Sequence, residues 1–481
     1  MAKLKLTGKQ LRAIGYPEGP VVSIAMDVME KNYKRNSTDH ALGILKQVLS
    51  DPAAFVEDDE LGKIARELIA KQKKAEANIS LITQGVSYNI FGAEFIEEGA
   101  LEQMSQAAKL PISIAGALMP DAHHGYGLPI GGVLATQNAV IPFGVGVDIG
   151  CRMCLSVFDI DPKDLEFRES YYTRELNEAT LFGTGQEFKK RTDHDVLYKK
   201  EFNEISILRG LRDKAASQLG TSGSGNHFVE FGIVEINEHD EKLKLPAGKY
   251  LSLLSHSGSR AIGANVANHF TKIAKSKRHL PGEAANLAWF NLDEEEGIEY
   301  WLSMNLAGDY ASACHHVIHD KIAKQLGREP LAMVENHHNF AWKEMYEGKE
   351  VIVHRKGATP AGKGVMGIIP GSMTAPGFIV KGKGEIASIN SASHGAGRKM
   401  SRTAALSSIT GNALKDELNK HGVKLIGGGL DEAPFAYKDI HSVMNAQKHL
   451  VDTLGLFYPK IVKMDGTPPR NRKRGKDISG E

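Results

Sequence analysis

Residues suited to metal binding recur in glycine-rich breaks that lie far apart in this sequence. Asp148 and Cys151 are three positions apart in one break, and three isolated histidines, His227, His256 and His338, follow in others. A thiolate, imidazoles and a carboxylate together suit a borderline divalent metal such as Mn²⁺ or Zn²⁺. If these residues share one site, nearly the whole span between them must fold as a single unit around it.

A further histidine, His394, has a different setting. Arg398 and Arg402 follow it at short intervals, and guanidinium groups favour phosphate binding. We therefore interpret His394 as a nucleophile rather than a ligand. The candidate active residues extend from Asp121 to Asp465, and regular strand and helix alternation is absent, so we expect one large α+β domain. Mixed or antiparallel sheets should surround a deep metal-containing cleft flanked by helices.

The pattern of apolar residues divides the chain into three parts. Helical spacing around Leu45 and Leu68, interrupted at Pro52, predicts a helical N-terminal addition over residues 1–80. Residues 81–466 form the predicted catalytic domain, and the basic segment 467–481 is predicted to be disordered. Within the catalytic domain we expect strands over Ile130–Ala139, Phe228–Ile236 and Val351–His354, and helices over Tyr300–Gln325 and from Ser401 into the 410s.

Charge and cysteine content exclude several classes of protein. The net charge of +1 does not indicate bulk electrostatic binding of nucleic acid, so any RNA or DNA contact must be a local basic cleft. Only Cys151, Cys154 and Cys314 occur, too few for a disulfide framework, which favours a reducing compartment. With no targeting signal and no apolar run of about 18 residues to span a bilayer, we expect a cytoplasmic protein without a membrane segment.

Several longer motifs resemble the RtcB-type RNA-splicing ligases, in family order from Met119 to about Gly466. The segments that carry the resemblance are Met119–Gly127 (MPDAHHGYG), Val147–Cys151 (VDIGC), Gly223–Phe228 (GSGNHF), His256–Arg260 (HSGSR), His354–Thr359 (HRKGAT), Pro370–Met373 (PGSM) and His394–Arg398 (HGAGR). Residues 1–80 and the basic tail lie outside it. The resemblance implies an enzyme that uses GTP and Mn²⁺ to join RNA ending in a 2′,3′-cyclic phosphate or 3′-phosphate to RNA with a 5′-hydroxyl.

The resemblance also implies a role for each metal-type residue. Cys151 would bridge two Mn²⁺ ions, with His256 and His338 completing one and Asp148 with His227 the other. A shared thiolate is chemically reasonable, because its negative charge lets two divalent cations approach each other.

By the same resemblance, His394 would attack the α-phosphorus of GTP, and Asp121 would fix the tautomer of its imidazole. Glu230 would contact the guanine edge and Tyr437 would stack on the base. The residues expected at the nucleotide are Asn226, Glu230, Asn339, Ser372, Arg398 and Tyr437. Those expected at RNA are Arg260, Arg402 and His123, of which His123 could equally have a structural hydrogen-bonding role.

The chain departs from the family pattern in three places. Gly377 stands where a guanine-binding serine is usual, and Asp465 stands where a lysine contacts the base. Lys463 could compensate only if its strand slipped by two residues, which would keep the side chain on the same face. Ala313-Cys314-His315 replaces a usual Ala-Asn-Arg. Preference for GTP over other nucleotides therefore stays open.

Several alternatives also stay open. His315, His316 and His319 could mimic a zinc site on a helix, although a core or surface histidine face is favoured. One sequence does not decide between His337 and His338 as ligand. A binuclear metallophosphoesterase and a non-catalytic RNA-binding relative are the alternative functions. The physiological RNA, an activating protein, the metal in vivo and the oligomeric state are left open as well.

Overall fold

The computed structural model describes residues 4–467, without the side chains of residues 73–76. The chain divides into two compact units, Met1–Ile79 and Ser80–Glu481. Apart from Thr467, the basic tail predicted to be disordered lies outside the described residues. Within the described part, no helix has both the length and the apolar character needed to cross a membrane.

The N-terminal unit is helical and has its own apolar core. Its helices are α1 (Gly8–Ala13), α2 (Pro20–Asn32), α3 (Thr38–Ser50) and α4 (Gly62–Glu76). Thr7 begins α1 with a capping box to Gln10, and the Ser37 hydroxyl accepts the backbone N–H of His40 at the start of α3. Leu45 is fully buried in the core of this unit. The helices predicted around residues 45 and 68 are therefore present.

All the strands found among residues 4–467 lie in the second unit. They are β1 (Tyr88–Ile90), β2 (Ser113–His123), β3 (Ile130–Thr136), β4 (Ala139–Val140), β5 (Arg152–Phe158), β6 (Phe228–Ile236), β7 (Gly248–Ser257), β8 (Phe290–Asn291), β9 (Ala332–His337), β10 (Phe340–Tyr346), β11 (Lys349–Lys356), β12 (Ala358–Pro360), β13 (Met366–Ile369), β14 (Gly377–Gly382), β15 (Ser391–Ser393), β16 (Lys424–Ile426) and β17 (Val451–Met464). Its helices are α5 (Glu98–Ala108), α6 (Pro142–Val145), α7 (Lys163–Phe167), α8 (Glu169–Ala179), α9 (Glu201–Glu204), α10 (Ser206–Arg209), α11 (Arg212–Gln218), α12 (Arg260–Lys277), α13 (Glu295–Leu326), α14 (Arg402–Ser408), α15 (Gly411–His421) and α16 (Ile440–Ala446).

Two larger sheets organise this unit. One has the strand order β1-β2-β3-β11-β10, and the other has the order β13-β14-β17-β6-β7-β5-β9, with β16 beside β17. Most pairs are antiparallel, whereas β1 with β2 and β16 with β17 are parallel. The predicted α+β class with mixed sheets is confirmed.

Alternate residues of the second sheet face two different cores. Met153, Leu155 and Leu254 point into one core together with Ile368 and Ile379. Phe158, Leu251 and Leu253 point the other way, against Ile318 and Ile322 of α13. Because successive side chains of a strand point to opposite faces of the sheet, one face of β5 and β7 packs against α13.

The side chain of Asn336 joins the two outermost strands of the second sheet. Its amide oxygen accepts the Ile368 backbone N–H at 2.9 Å, and its amide nitrogen donates to the Ile368 carbonyl at 3.2 Å and to Thr359 Oγ1 at 2.9 Å. One buried side chain thus replaces a missing pair of backbone hydrogen bonds between β9 and β13.

Asn336→Ala is expected to lower the free energy of unfolding by about 2 to 4 kcal/mol, because each buried polar group left without a partner costs roughly 1–3 kcal/mol. Asn265 is the control, because it is exposed and its amide bonds only the Ala261 carbonyl of its own helix. Asn265→Ala should change stability by less than about 0.5 kcal/mol. Denaturant unfolding measures both. Equal effects would contradict the bridging role of Asn336.

Three predicted elements were wrong in detail. The strand expected over Ile130–Ala139 breaks at Asn138, whose φ of 46° is left-handed, so that β3 and β4 belong to different sheets. The helix expected from Ser401 into the 410s is two helices, because the Thr410 hydroxyl accepts the Ala413 N–H and starts a new one. The helix expected from Tyr300 begins earlier, at Glu295. The strand Phe228–Ile236 was predicted with its observed bounds.

Candidate metal centre and nucleophile

Four neighbouring strands of the second sheet bring the metal-type residues together at one end. Cys151 directly precedes β5, and His338 directly follows β9, which pairs antiparallel with β5. His256 lies on β7 opposite Met153 of β5. His227 directly precedes β6, whose first residue pairs with His256. The antiparallel pairing of these strands therefore brings residues that are far apart in the sequence into a single cluster.

Backbone hydrogen bonds join the break that holds Cys151 to the break that holds His338. The His338 N–H donates to the Cys151 carbonyl at 2.9 Å, and the Gly150 N–H donates to the Asn339 carbonyl at 2.9 Å. Asn339 adopts a left-handed conformation with φ 54°, and its amide oxygen accepts the Gly357 N–H at 2.8 Å. Both loops are thereby fixed without any ligand.

The candidate metal donors converge on the Cys151 sulfur. Sγ lies 3.1 Å from His256 Nε2 and 3.4 Å from His227 Nε2. On one side His227 Nε2 lies 3.0 Å from Asp148 Oδ2, and on the other His256 Nε2 lies 3.4 Å from His338 Nε2. The ligand atoms of Cys151, His227 and His256 all lie within 4.8 Å of one another, with Asp148 next to His227 and His338 next to His256.

The hydrogen bonds of His256 present the lone pair of its imidazole toward this cluster. His256 Nδ1–H donates to the Asn226 carbonyl at 3.1 Å, which leaves the lone pair on Nε2, the atom that faces Cys151. Burial lowers the pKa of His256 to about 3, so the ring is neutral, as a metal ligand must be. Nδ1 of His227 and of His338 are buried without hydrogen-bond partners among the described residues. This donor set fits divalent cations.

Two glycines allow the donors to approach so closely. A Cβ atom on Gly258 would overlap the Asp148 carboxylate, and one on Gly223 would overlap the His227 ring. The glycine-rich sequences around the candidate ligands are therefore required by the lack of space at the donor cluster.

His394 lies beside this cluster and is held by a buried carboxylate. The ring centroids of His394 and His338 are 4.8 Å apart. His394 Nδ1 donates to Asp121 Oδ2 at 2.7 Å, and the same oxygen accepts the backbone N–H groups of His394 and Gly395. Because a carboxylate only accepts, Nδ1 carries the proton and the lone pair is on Nε2.

The charge state of Asp121 favours this arrangement. Burial by itself would raise the pKa of this fully buried carboxyl, but the hydrogen bond from His394 and the nearby charge of Lys438 outweigh it and lower the pKa. Lys438 Nζ donates to the carbonyls of Pro120 and Ala122 on either side of Asp121. Asp121 is thus ionised and rigidly placed. Lys438 was missed from the sequence, because it lies more than 300 residues from its partners.

A cleft reaches both His394 and His256 of the donor cluster. Residues predicted to bind nucleotide, RNA or metal that line it are His123, Asn226, Glu230, His256, Asn339, Ser372, His394, Arg398, Arg402 and Tyr437. Asp121, Asp148, Cys151, His227, His338 and Arg260 do not line this cleft. Lys356 also lines the cleft, but we assigned it no role from the sequence. Its position in the glycine-containing motif His354–Thr359 could have indicated a functional residue.

Glu230 is a buried acid that lines the cleft. Its side chain is on β6, only 4% of the residue is exposed, and it has no hydrogen-bond partner among the described residues. Burial raises the pKa of its carboxyl well above the ordinary value. Phe228, Leu254 and Met464 line the cleft as well. An unpaired carboxyl in a largely apolar environment is costly unless a ligand supplies the partner.

The two arginines after His394 are paired with acids that were not predicted. Arg402 forms ion pairs with Asp431 and Glu432, and Arg398 Nη1 lies 3.4 Å from Glu432 Oε2. The hydroxyl of Tyr437 also donates to Glu432, and the Arg398 guanidinium lies 5.3 Å from the Tyr437 ring centroid. These acidic side chains therefore partly neutralise the positive charge that Arg398 and Arg402 were expected to place around His394.

The remaining RNA candidates are held by hydrogen bonds within the protein. Arg260, in a left-handed conformation with φ 55°, donates to Gly183 O at 2.7 Å and Thr221 Oγ1 at 3.0 Å. His123 Nδ1 lies 3.1 Å from Asp121 O, and burial lowers its pKa to about 4. Its ring is neutral, which favours the structural role over phosphate binding.

The departures from the family pattern occupy different environments. Gly377 lines the cleft. Lys463 does not line the cleft, because its ammonium group donates to the carbonyls of Leu176, Asn177 and Thr180 at the end of α8. It could replace the missing lysine only if its side chain moved to the other face of the strand. Asp465 accepts hydrogen bonds from Thr467 and lies outside the cleft.

The other histidines raised by the sequence have separate places. The His337 ring packs against Phe340 and Trp342, whereas its neighbour His338 faces the cluster. His315 and His319 are fully buried on α13 and hydrogen-bonded to serines. Cys154 lies near these two rings and could complete a three-ligand metal group. Every ring nitrogen of His315 and His319 is already bonded to protein oxygen, which favours the predicted core role.

The fold and the donor cluster define an α+β protein with a candidate metal centre beside an oriented histidine. Comparison with known proteins then identifies its family. A family model described as tRNA-splicing ligase RtcB matches residues 103–207 and 201–462. The chain belongs to the RtcB family.

Named relatives cover most of the chain. RNA-splicing ligase RtcB of Escherichia coli K12 is 33% identical over 391 residues, covering 75% of this chain and 92% of that protein. The tRNA-splicing ligase RtcB of Archaeoglobus fulgidus is 32% identical over 416 residues, covering 72% and 86%. RNA-splicing ligase RtcB homolog 2 of Entamoeba dispar is 28% identical over 478 residues, covering 84% and 86%.

Proposed function

We propose that this chain is an RNA ligase that joins an RNA 2′,3′-cyclic phosphate or 3′-phosphate end to a 5′-hydroxyl end, with GTP and Mn²⁺ and through a guanylylated His394. The observation that carries the proposal is the pairing of His394 with a buried carboxylate beside a cluster of thiol, imidazole and carboxylate donors. A phosphoesterase would not require such an oriented nucleophile. The ligase names of the relatives support the same conclusion.

Cys151 with His256 and His338 would hold one cation, and Cys151 with Asp148 and His227 the other. When bound, the two cations would supply positive charge that neutralises the anionic phosphates and favours ionisation of a bound hydroxyl or water. The protein fixes the donors in advance, through the strand register and the linked loops.

The reaction proposed for His394 has three steps. Its Nε2 lone pair forms a bond to the α-phosphorus of GTP, and pyrophosphate leaves. Asp121 stabilises the positive charge that develops on the ring. An RNA 3′-phosphate oxygen, which a cyclic end acquires by hydrolysis, then attacks the same phosphorus and frees Nε2, so that the RNA end is joined to GMP through a phosphoanhydride. The 5′-hydroxyl of the second RNA attacks this end, GMP leaves, and the hydroxyl proton passes to solvent.

An assay that combines labelling and joining tests the proposal. The protein is incubated with Mn²⁺, GTP labelled at the α-phosphate, and two RNA fragments with 3′-phosphate and 5′-hydroxyl ends. We expect an acid-labile protein label and a joined RNA whose new linkage contains the original 3′-phosphate. Loss of the 3′-phosphate without label would favour the metallophosphoesterase. RNA binding without either reaction would favour the non-catalytic relative.

Glu230→Gln should raise the GTP concentration needed for half-maximal labelling about ten- to hundredfold, because a bidentate base contact is worth roughly 1–3 kcal/mol. The carboxylate can accept from both N–H donors of the guanine edge, whereas an amide presents donors to one of them. Glu235→Gln on the same strand, whose carboxylate pairs with Lys249 instead, is the control and should behave as wild type. Repeating the titration with ATP measures base preference. An unchanged GTP titration would contradict the role of Glu230.

A further inference from the structure

A chain of buried hydrogen bonds runs behind the candidate metal centre, on the face of the sheet that α13 covers. Ser156 Oγ lies 2.7 Å from His319 Nδ1, and His319 Nε2 lies 2.7 Å from Ser255 Oγ. Ser255 Oγ lies 2.6 Å from His315 Nδ1, and His315 Nε2 lies 3.0 Å from the Ser257 carbonyl. All five residues are fully buried.

The last link fixes the direction of the whole chain. A carbonyl only accepts, so His315 Nε2 carries a proton and its Nδ1 accepts from Ser255 Oγ. The Ser255 hydroxyl then has no second proton, so it accepts from His319 Nε2–H, and His319 Nδ1 accepts from the Ser156 hydroxyl. Each donor and acceptor has one partner, with both imidazoles neutral. This arrangement explains the histidines without a further metal ion near Cys154.

The chain includes both neighbours of a candidate metal ligand. Along β7, Ser255 and Ser257 face α13, whereas His256 between them faces the cleft. Leu251 and Leu253 of the same strand face α13 as well, which is consistent with the alternation. Two histidines of one helix therefore hold the backbone on both sides of His256. Ser156 ties the same helix to β5, which begins directly after Cys151.

We infer that Ser255, His315 and His319 are positioning residues that set the place of His256, and hence the affinity of the ion shared by His256 and Cys151. The inference rests on the metal centre proposed above. Groups that orient a metal-ligating histidine from behind typically change metal affinity 10–100-fold when removed. Here the orientation acts through the strand backbone, while the Asn226 carbonyl fixes the ring itself.

Ser255→Ala removes one oxygen and breaks both central links. The control is Ser252→Ala, because Ser252 is equally buried on the same strand but contacts only the Tyr250 carbonyl, at 3.5 Å. Full-length protein is titrated with Co²⁺ while the thiolate-to-cobalt charge-transfer absorption is followed, and thermal unfolding of the metal-free proteins is recorded in parallel. We expect Ser255→Ala to weaken Co²⁺ binding at least tenfold, Ser252→Ala to match wild type, and Ser255→Thr to recover most of the affinity.

Ser156→Ala removes only the first donor of the chain and is the second variant if Ser255→Ala does not fold. It should weaken Co²⁺ binding about threefold, since the links next to His256 remain. A Ser255→Ala protein, or in its place a Ser156→Ala protein, that titrates like Ser252→Ala would overturn the inference. A wild-type protein without the charge-transfer absorption would instead overturn the proposed metal centre, so the two failures are distinguishable.

Discussion

His394→Ala is expected to reduce covalent labelling by GTP to background and to abolish RNA joining, a loss of at least about a thousandfold. The variant removes the atom that would form the bond to phosphorus, and a residual rate would need a different nucleophile. Asp121→Asn keeps the ring but loses the acceptor that holds the proton on Nδ1. A comparable change in a serine protease triad costs about 10⁴-fold, so we expect a loss of roughly 10²–10⁴-fold here.

Gel autoradiography after acid-free denaturation measures the label, and His441→Ala is the matched control. His441 is an exposed histidine whose ring packs on Phe378. It should be labelled like wild type. Label that persists in His394→Ala would show that another residue carries the guanylate, and an unchanged rate in Asp121→Asn would remove the orienting role of the carboxylate.

Cys151→Ser is expected to weaken binding of both cations together, by at least about a hundredfold, or about 2.7 kcal/mol. A serine hydroxyl remains protonated and ligates far less strongly than a thiolate, and both donor pairs depend on the same sulfur. Loss of one ion alone would mean that the thiol does not bridge. RNA joining should fall with metal content.

Cys154→Ser is the control for this prediction. Cys154 is also fully buried and lies three residues further on, in β5. Burial raises the pKa of its thiol well above the ordinary value, which keeps it neutral. Elemental analysis after dialysis should give wild-type metal content for Cys154→Ser. A loss there would indicate that Cys154, with His315 and His319, binds metal after all.

Much of the site was accessible from the sequence, because its residues carry local signals. A cysteine or histidine in a glycine-rich break has no packing reason to be there, and the close approach of the Asp148 carboxylate to Gly258 shows why such breaks are needed. The bounds of β6 also followed from its local apolar pattern. The α+β class followed from the wide spread of the candidate residues.

What could not be predicted depends on contacts between distant segments. The pairing of Arg402 with Glu432 joins residues 30 positions apart, and the sequence offers no periodicity that links them. The direction of Lys463 depends on where α8 ends relative to β17. Whether His337 or His338 faces the candidate metal donors depends on the exact register of β9, because a shift of one residue exchanges the two faces of the strand. The alternating pattern of the sequence does not determine that register.

The arginine pairs also affect how the cleft would act on nucleotide. Glu432 contacts Arg398, Arg402 and Tyr437, so these three side chains form a preorganised group rather than mobile charges. Preorganised groups lose little entropy when a ligand binds. Their role in RNA or nucleotide binding stays a prediction from the resemblance.

Anomalous diffraction from crystals grown with Mn²⁺ tests the central claim most directly. The account predicts two peaks that share Cys151 Sγ as a ligand, one also bound by His256 and His338 and the other by Asp148 and His227, with His394 Nε2 facing the same cleft and not ligating in the nucleotide-free protein. A single peak away from Cys151, or a peak at Cys154, His315 and His319 in its place, would contradict it.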